Sequence, residues 1–193
     1  LVHERCLEYG MAAPPRIRAV DPDRHVDIAG QGDLELELMG RASSLCVALD
    51  VRLVGNVERD ELNAYYALAT VVAVPSIRDD AGNVDGLPNV LLEAMASGSP
   101  LVASAVAGIP QAVRDKKEAL LVAERDPEAL AGAILELLES PELRKNLGAS
   151  ARQKRAVPDR TVPPQDLRSS SRPHRYARHR SIGQVPRDYG GKK

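Results

Sequence analysis

The stretch DGLPNVLLEAMASG, residues 85–98, sets two acids, Asp85 and Glu93, on either side of a Pro-Asn break. Were the whole interval helical, eight residues would separate the carboxylates by about 80° around the axis and ~12 Å along it. At that separation they cannot share a proton as an acid–base pair, but they could hold two parts of one elongated ligand. Gly86 and Leu87 lead into a helix whose positive end suits an anion. Pro88 has no N–H, so the backbone donors there are Gly86, Leu87 and Asn89, a cradle fit for a diphosphate or a sugar ring. Two plainer readings compete. Asp85 or Asn83 could simply cap the helix, and Glu93 could be a solvated helix residue.

These residues need a frame, and the flanking pattern supplies one. Leu87, Val90, Leu91, Ala94 and Met95 recur at helical spacing, with Pro88 suited to the first turn and Gly98 to the position past the end, so 87–98 is predicted as a helix with one buried face. Upstream, HVDIAGQGD (25–33) reads as a strand ending in a Gly-x-Gly turn, 34–49 as a helix, VRLVGNV (51–57) as a strand, 58–69 as an amphipathic helix and TVVAVPS (70–76) as a buried strand. Downstream come a strand at 100–105, a short helix at 108–115, a strand at 118–123 and two helices within 126–156. Asp126-Pro127-Glu128 and Ser140-Pro141-Glu142 each present a cap, a Pro and an acid in order. Five strands alternating with about six helices, the strands continuous apolar runs, predict an α/β domain with a doubly wound parallel sheet, Rossmann-like, covered on both faces. Such sheets bind ligands at the carboxyl ends of their strands.

Composition limits the alternatives. The chain has 193 residues, 44% of them hydrophobic, with no Phe or Trp, so its core must be Leu, Val, Ile and Ala and it has no set of aromatic platforms for single-stranded nucleic acid. The net charge of -1 is split. Residues 157–193 hold nine Arg or Lys against three Asp or Glu, and residues 1–156 hold 17 against 24. This gives three segments: 1–24, irregular, with Pro14, Pro15 and Pro22; 25–156, the folded domain; and 157–193, a basic tail rich in Pro, Arg and Ser, expected to be disordered. No apolar run reaches the ~18 residues of a membrane span and no leader is visible. Cys6 and Cys46 lie outside any paired spacing and read as reduced thiols, which suits a cytoplasmic protein.

Other constellations are weaker. Gly30-Gln31-Gly32 lacks the third glycine of a dinucleotide fingerprint. Asp79, Asp80 and Asp85 could ligate a divalent cation, but a solvated loop is the simpler account. No metal and no cofactor are expected.

Residues 75–122 resemble the C-terminal domain of the retaining GT-B glycosyltransferases known as glycosyl transferases group 1: a Pro-Ser after a strand, an acid-Gly-x-Pro turn, a helix with Glu-Ala-x-Ala-x-Gly, and a following Gly-x-x-Glu-like turn, here GIPQ. The likeness runs upstream through the Gly30-Gln31-Gly32 turn and VRLVGNV, and downstream through Asp126-Pro127-Glu128. It implies transfer of a sugar from a UDP- or GDP-sugar to an acceptor hydroxyl with retention, on a carbohydrate or lipid-linked acceptor, in polysaccharide or glycolipid synthesis. The nucleotide sugar would be a substrate rather than a cofactor. An N-terminal acceptor domain would complete the enzyme, peripheral location at the inner membrane face would suit it, and no nucleic-acid partner is expected. By the same resemblance Glu93 binds the ribose, and Asp85 contacts the donor sugar near the reacting carbon as the catalytic-site acid. Gly86 and Leu87, flanked by Pro88 and Asn89, hold sugar and phosphate. Gly30 and Gly32 shape a donor-side turn, and Asn56 and Val57 lie by the base. The sequence departs from the pattern in having Asp85 where Glu is usual and Gln111 for Glu, and residues 1–24 hold no copy of the usual Arg/Lys diphosphate clamp. An inactive nucleotide-sugar-binding module and a sugar-nucleotide epimerase are the alternative readings.

Overall fold

The computed structural model describes residues 9–30, 35–78, 82, 84 and 86–156, without the side chains of Arg59 and Asp60. The basic tail, Cys6, and the acids Asp79, Asp80 and Asp85 lie outside the described residues. In chain order the elements are α1 (Ala13–Val20), β1 (Val26–Ala29), α2 (Glu35–Ser44), β2 (Val51–Gly55), α3 (Arg59–Leu68), β3 (Val72–Val74), α4 (Asn89–Ser97), β4 (Leu101–Ser104), α5 (Ile109–Ala112), β5 (Leu120–Val122), α6 (Pro127–Glu139) and α7 (Pro141–Ala156). The five strands and the six helices after residue 25 are those the sequence predicts.

All strand pairs are parallel, as the alternation of strands and helices requires. Among the described residues they form two sheets, β1–β2 and β3–β4–β5. In the larger sheet Val72 pairs with Leu101, and Val102 with Leu120. Strand β4 is buried along its whole length. Its alternation sends Leu101 and Ala103 to one core, with Val74, Leu91, Ala94 and Met95, and Val102 to another, with Leu120, Leu130, Ile134 and Leu137. This is the two-faced cover expected of a parallel sheet, with α4 on one side and α6 on the other.

The smaller sheet is different. Val26 pairs with Val51 and Ile28 with Leu53, and a bulge follows Ile28. Val51, Leu53 and Ile28 pack with Met11, Leu38, Ala42 and Val47 in a third core. Asp27, Ala29 and Arg52 are exposed, so the two-sided burial expected of these strands does not hold here. Strand β3 likewise exposes Ala73. Among the described residues each of these strands stands at the edge of its sheet.

The irregular segment predicted for 1–24 contains a helix. Pro14 and Pro15 stand in the first turn of α1, where their missing N–H groups cost nothing, and Ala13 and Ile17 bury against α6. Helix α2 ends at Ser44, short of the predicted 49, because Cys46 turns back in a left-handed conformation, φ 56°. Asp126 caps α6 by accepting from the Ala129 N–H at 2.8 Å, and Ser140 accepts from the Leu143 N–H at 3.3 Å at the head of α7, the two opening signals read from the sequence.

Candidate donor-binding site

Helix α4 positions the chemistry. It starts at Asn89, two residues later than predicted, and Pro88 is its N-cap in extended backbone, φ -62°, ψ 131°. The reason is local: a residue before proline is driven out of the helical region, which fixes Leu87 outside the helix. Pro88 offers no side-chain acceptor, so the described residues supply no side-chain cap for the first turn. Asn83 and Asp85, the capping candidates, lie outside the described residues. Gly86, Leu87 and Asn89 are exposed at this helix start.

The entrance loop is fastened to the next strand–helix turn. The Gly108 N–H donates to the Gly86 carbonyl at 2.7 Å. A Cβ on Gly108 would stand 2.4 Å from that same oxygen, so only glycine admits this approach. The other end of α4 closes on Gly98, φ 79°, with the Gly98 and Ser99 N–H groups donating to Met95 and Ala94 carbonyls, each at 3.1 Å.

Glu93 sits on the second turn of α4, half-buried rather than solvated. The Tyr66 hydroxyl, on α3, donates to its Oε2 at 2.9 Å. Burial, and then the bond to the Glu93 carboxylate, push the ionisation of Tyr66 well above the ordinary tyrosine range. Tyr66 therefore stays a neutral donor, and Glu93 presents Oε1 with no other hydrogen-bond partner among the described residues.

The other predicted site residues form a second set. Gly30 ends β1 at φ 139° and its N–H donates to the Gly55 carbonyl at 2.8 Å, while exposed Asn56 and half-buried Val57 follow β2. Both sets stand at the carboxyl ends of parallel strands, where ligands bind in such sheets. Among the described residues no hydrogen bond or ion pair joins one set to the other. Gly32, like Asp85, is outside the described residues.

The profile of the family described as Glycosyl transferases group 1 matches residues 1–154. The chain belongs to that family. It is 36% identical over 153 residues, 79% of its length, to a GDP-mannose-dependent alpha-(1-6)-phosphatidylinositol monomannoside mannosyltransferase of Mycolicibacterium smegmatis, of which it covers 40%. Among solved structures, sucrose-phosphate synthase from Thermosynechococcus elongatus is 28% identical with TM-score 0.63, covering 76% of this chain and 37% of that one. The C-terminal domain of a group 1 family protein from Francisella tularensis is 18% identical with TM-score 0.67, and there the match covers 77% of this chain and 76% of that one. The chain thus spans about two fifths of the length of the curated relative it matches.

For this group 1 chain, sequence reasoning missed two residues. Tyr66 is one; a buried tyrosine needs a partner for its hydroxyl, but nothing local in ERDELNAYYALA says which acceptor will meet it. Glu118 is the other. It is buried before β5, accepts from the Arg114 N–H at 2.8 Å and from the Arg114 guanidinium, and lies 3.8 Å from Lys154 Nζ on α7. The guanidinium bond, with the neighbouring charges, holds its carboxyl below the usual range. Glu118 fastens α7 rather than facing the α4 entrance. Among the described residues no His, Cys, Asp and Glu group is arranged to hold a metal, and no helix is long and apolar enough to cross a membrane.

Proposed function

We propose that this chain is the donor-binding part of a glycosyltransferase that moves a sugar from a UDP- or GDP-sugar to an acceptor hydroxyl with retention at the anomeric carbon. A nucleotide sugar lies across the head of α4. The segment Gly86–Asn89 faces its phosphates and sugar, Asp85 contacts the sugar hydroxyls, Glu93 takes the ribose hydroxyls, and Asn56 and Val57 border the base. The observation that carries this is Glu93: a half-buried carboxylate one turn inside α4, with one oxygen bonded to Tyr66 and the other without a hydrogen-bond partner among the described residues. Carboxylate acceptors suit vicinal hydroxyls, and a helix N-terminus suits a diphosphate. The transition state would gain from donors that meet charge developing on the leaving diphosphate, not from a covalent intermediate on this chain. The acceptor, carbohydrate or lipid-linked, would be held by a further domain, in polysaccharide or glycolipid synthesis. The GDP-mannose dependence in the mycobacterial relative's name supports a nucleoside-diphosphate donor.

Calorimetry with UDP and with GDP tests the reading on the full chain and on its Glu93→Ala variant. Saturable binding of one nucleotide, weakened at least about tenfold in the variant, is the expected result, the scale of one charge-assisted hydrogen bond. Absence of binding of both nucleotides at millimolar concentration would refute it.

A further inference from the structure

Tyr66 is held at both ends by the helix that bears Glu93 and by the turn closing it. Its hydroxyl donates to Glu93 Oε2 at 2.9 Å, and its carbonyl accepts from the Ser99 hydroxyl at 2.7 Å. Ser99 is itself buried and bonded to Ser97 Oγ at 2.7 Å. Tyr66 as a whole is 7% exposed, packed in the core that contains Leu91 and Met95. A phenol fixed in this way cannot swing with its acceptor. It removes rotamer freedom from Glu93 that a ligand would otherwise have to freeze.

We infer that Tyr66 is a positioning residue for the nucleoside: its hydroxyl locks the Glu93 carboxylate so that Oε1 meets the ribose hydroxyls without reorganisation. This rests on the ribose reading of Glu93 given above. Tyr66 touches no ligand itself. Its contribution appears as selectivity for ribose over a sugar lacking the 2′ and 3′ hydroxyls, a property that core packing alone does not set.

The test measures dissociation constants of the full chain for UDP and GDP and for their 2′,3′-dideoxy counterparts, in wild type, Tyr66→Phe and Glu93→Ala, with thermal melting of each. Phenylalanine keeps the buried ring and removes only the donor. Wild type is expected to favour the ribonucleotide by about tenfold or more, and Glu93→Ala to lose that preference. Tyr66→Phe is expected to lose roughly three- to tenfold of the preference while its affinity for the dideoxy nucleotide stays at the wild-type value, on the scale of a preorganised hydrogen bond. A Tyr66→Phe variant that melts lower but keeps the full preference would overturn the positioning role and leave the ribose reading standing. Wild-type binding with no preference, or no binding at all, would overturn the ribose reading and the positioning role with it.

Discussion

Gly148 offers a sharp test of how α7 seats on the rest of the fold. A Cβ built there would lie 2.2 Å from the Gly98 carbonyl oxygen and 3.2 Å from its carbon, against the 3.0 Å below which real Cβ contacts essentially do not occur. Gly148→Ala therefore demands a retreat of about 0.8 Å between α7 and the end of α4. Neither side yields freely. Gly98 is the left-handed closure of α4, and Leu147 and Ala151, on either side of Gly148 in α7, are 1% and 0% exposed. A gap of that size forfeits a quarter to a half of the dispersion well at each contact it opens, and overpacking costs about 1–3 kcal/mol. Replacing a helical glycine by alanine returns about 1 kcal/mol of propensity, so the net expectation is a loss of up to about 2 kcal/mol. Gly132, inside α6, has nothing within 4 Å of its hypothetical Cβ, so the same change there should stabilise by about 1 kcal/mol. Urea unfolding of both variants, at equal slope, reads the difference directly. If Gly148→Ala stabilises as much as Gly132→Ala, the close approach of α7 to Gly98 is not a constraint and the argument fails.

Other changes have defined outcomes. Asp126→Ala removes the cap on Ala129 N–H and should cost about 1 kcal/mol, with Asp126→Asn nearly neutral in the same denaturation assay. Leu101→Ala empties a fully buried position where β4 meets α4 and should cost about 2–5 kcal/mol, a loss of cooperative melting being its extreme form. Glu118 has a folded-state ionisation below the unfolded value, so its stabilisation is complete above about pH 4.3 and is lost as pH falls through the lower folded value. Melting temperature against pH should therefore fall across that acidic interval in the wild type, and Glu118→Gln should melt lower at neutral pH with a flatter acid limb.

What the sequence disclosed depended on the range of the signal. The buried face of α4 was legible because Leu91, Ala94 and Met95 repeat at helical spacing, and β4 because four apolar or small residues run without a break. The heads of α6 and α7 were legible because capping chemistry is local. Helix α1 was hidden: it has eight residues, two of them proline, too few for a period to emerge, and its apolar face is defined by a core whose other members, α6 above all, lie far along the chain. The exposure of Ala73 and Asp27 was also invisible, since a strand's composition does not say whether another layer will pack over its face. At the site, Glu93 was singled out by type and place, whereas its partner Tyr66, 27 positions earlier, belongs to another helix and is joined to it only by tertiary packing.

The division of the strands into two sheets also bears on the order in which the molecule comes apart. Among the described residues the β1–β2 pair is two strands wide and rests on five buried residues, Met11, Leu38, Ala42, Val47 and Val51, with one strand face open to solvent. The three-stranded sheet lies between two larger cores. A two-stranded unit is marginal by itself, and local opening follows buried contact density. Amides of Val26–Ala29 and Val51–Gly55 should then exchange with solvent through a sub-global opening, well before those of Leu101–Ser104, which await global unfolding. Asn56 and Val57 hang from the half that opens first, so a nucleotide whose base reaches them would be felt as slowed exchange in β1 and β2.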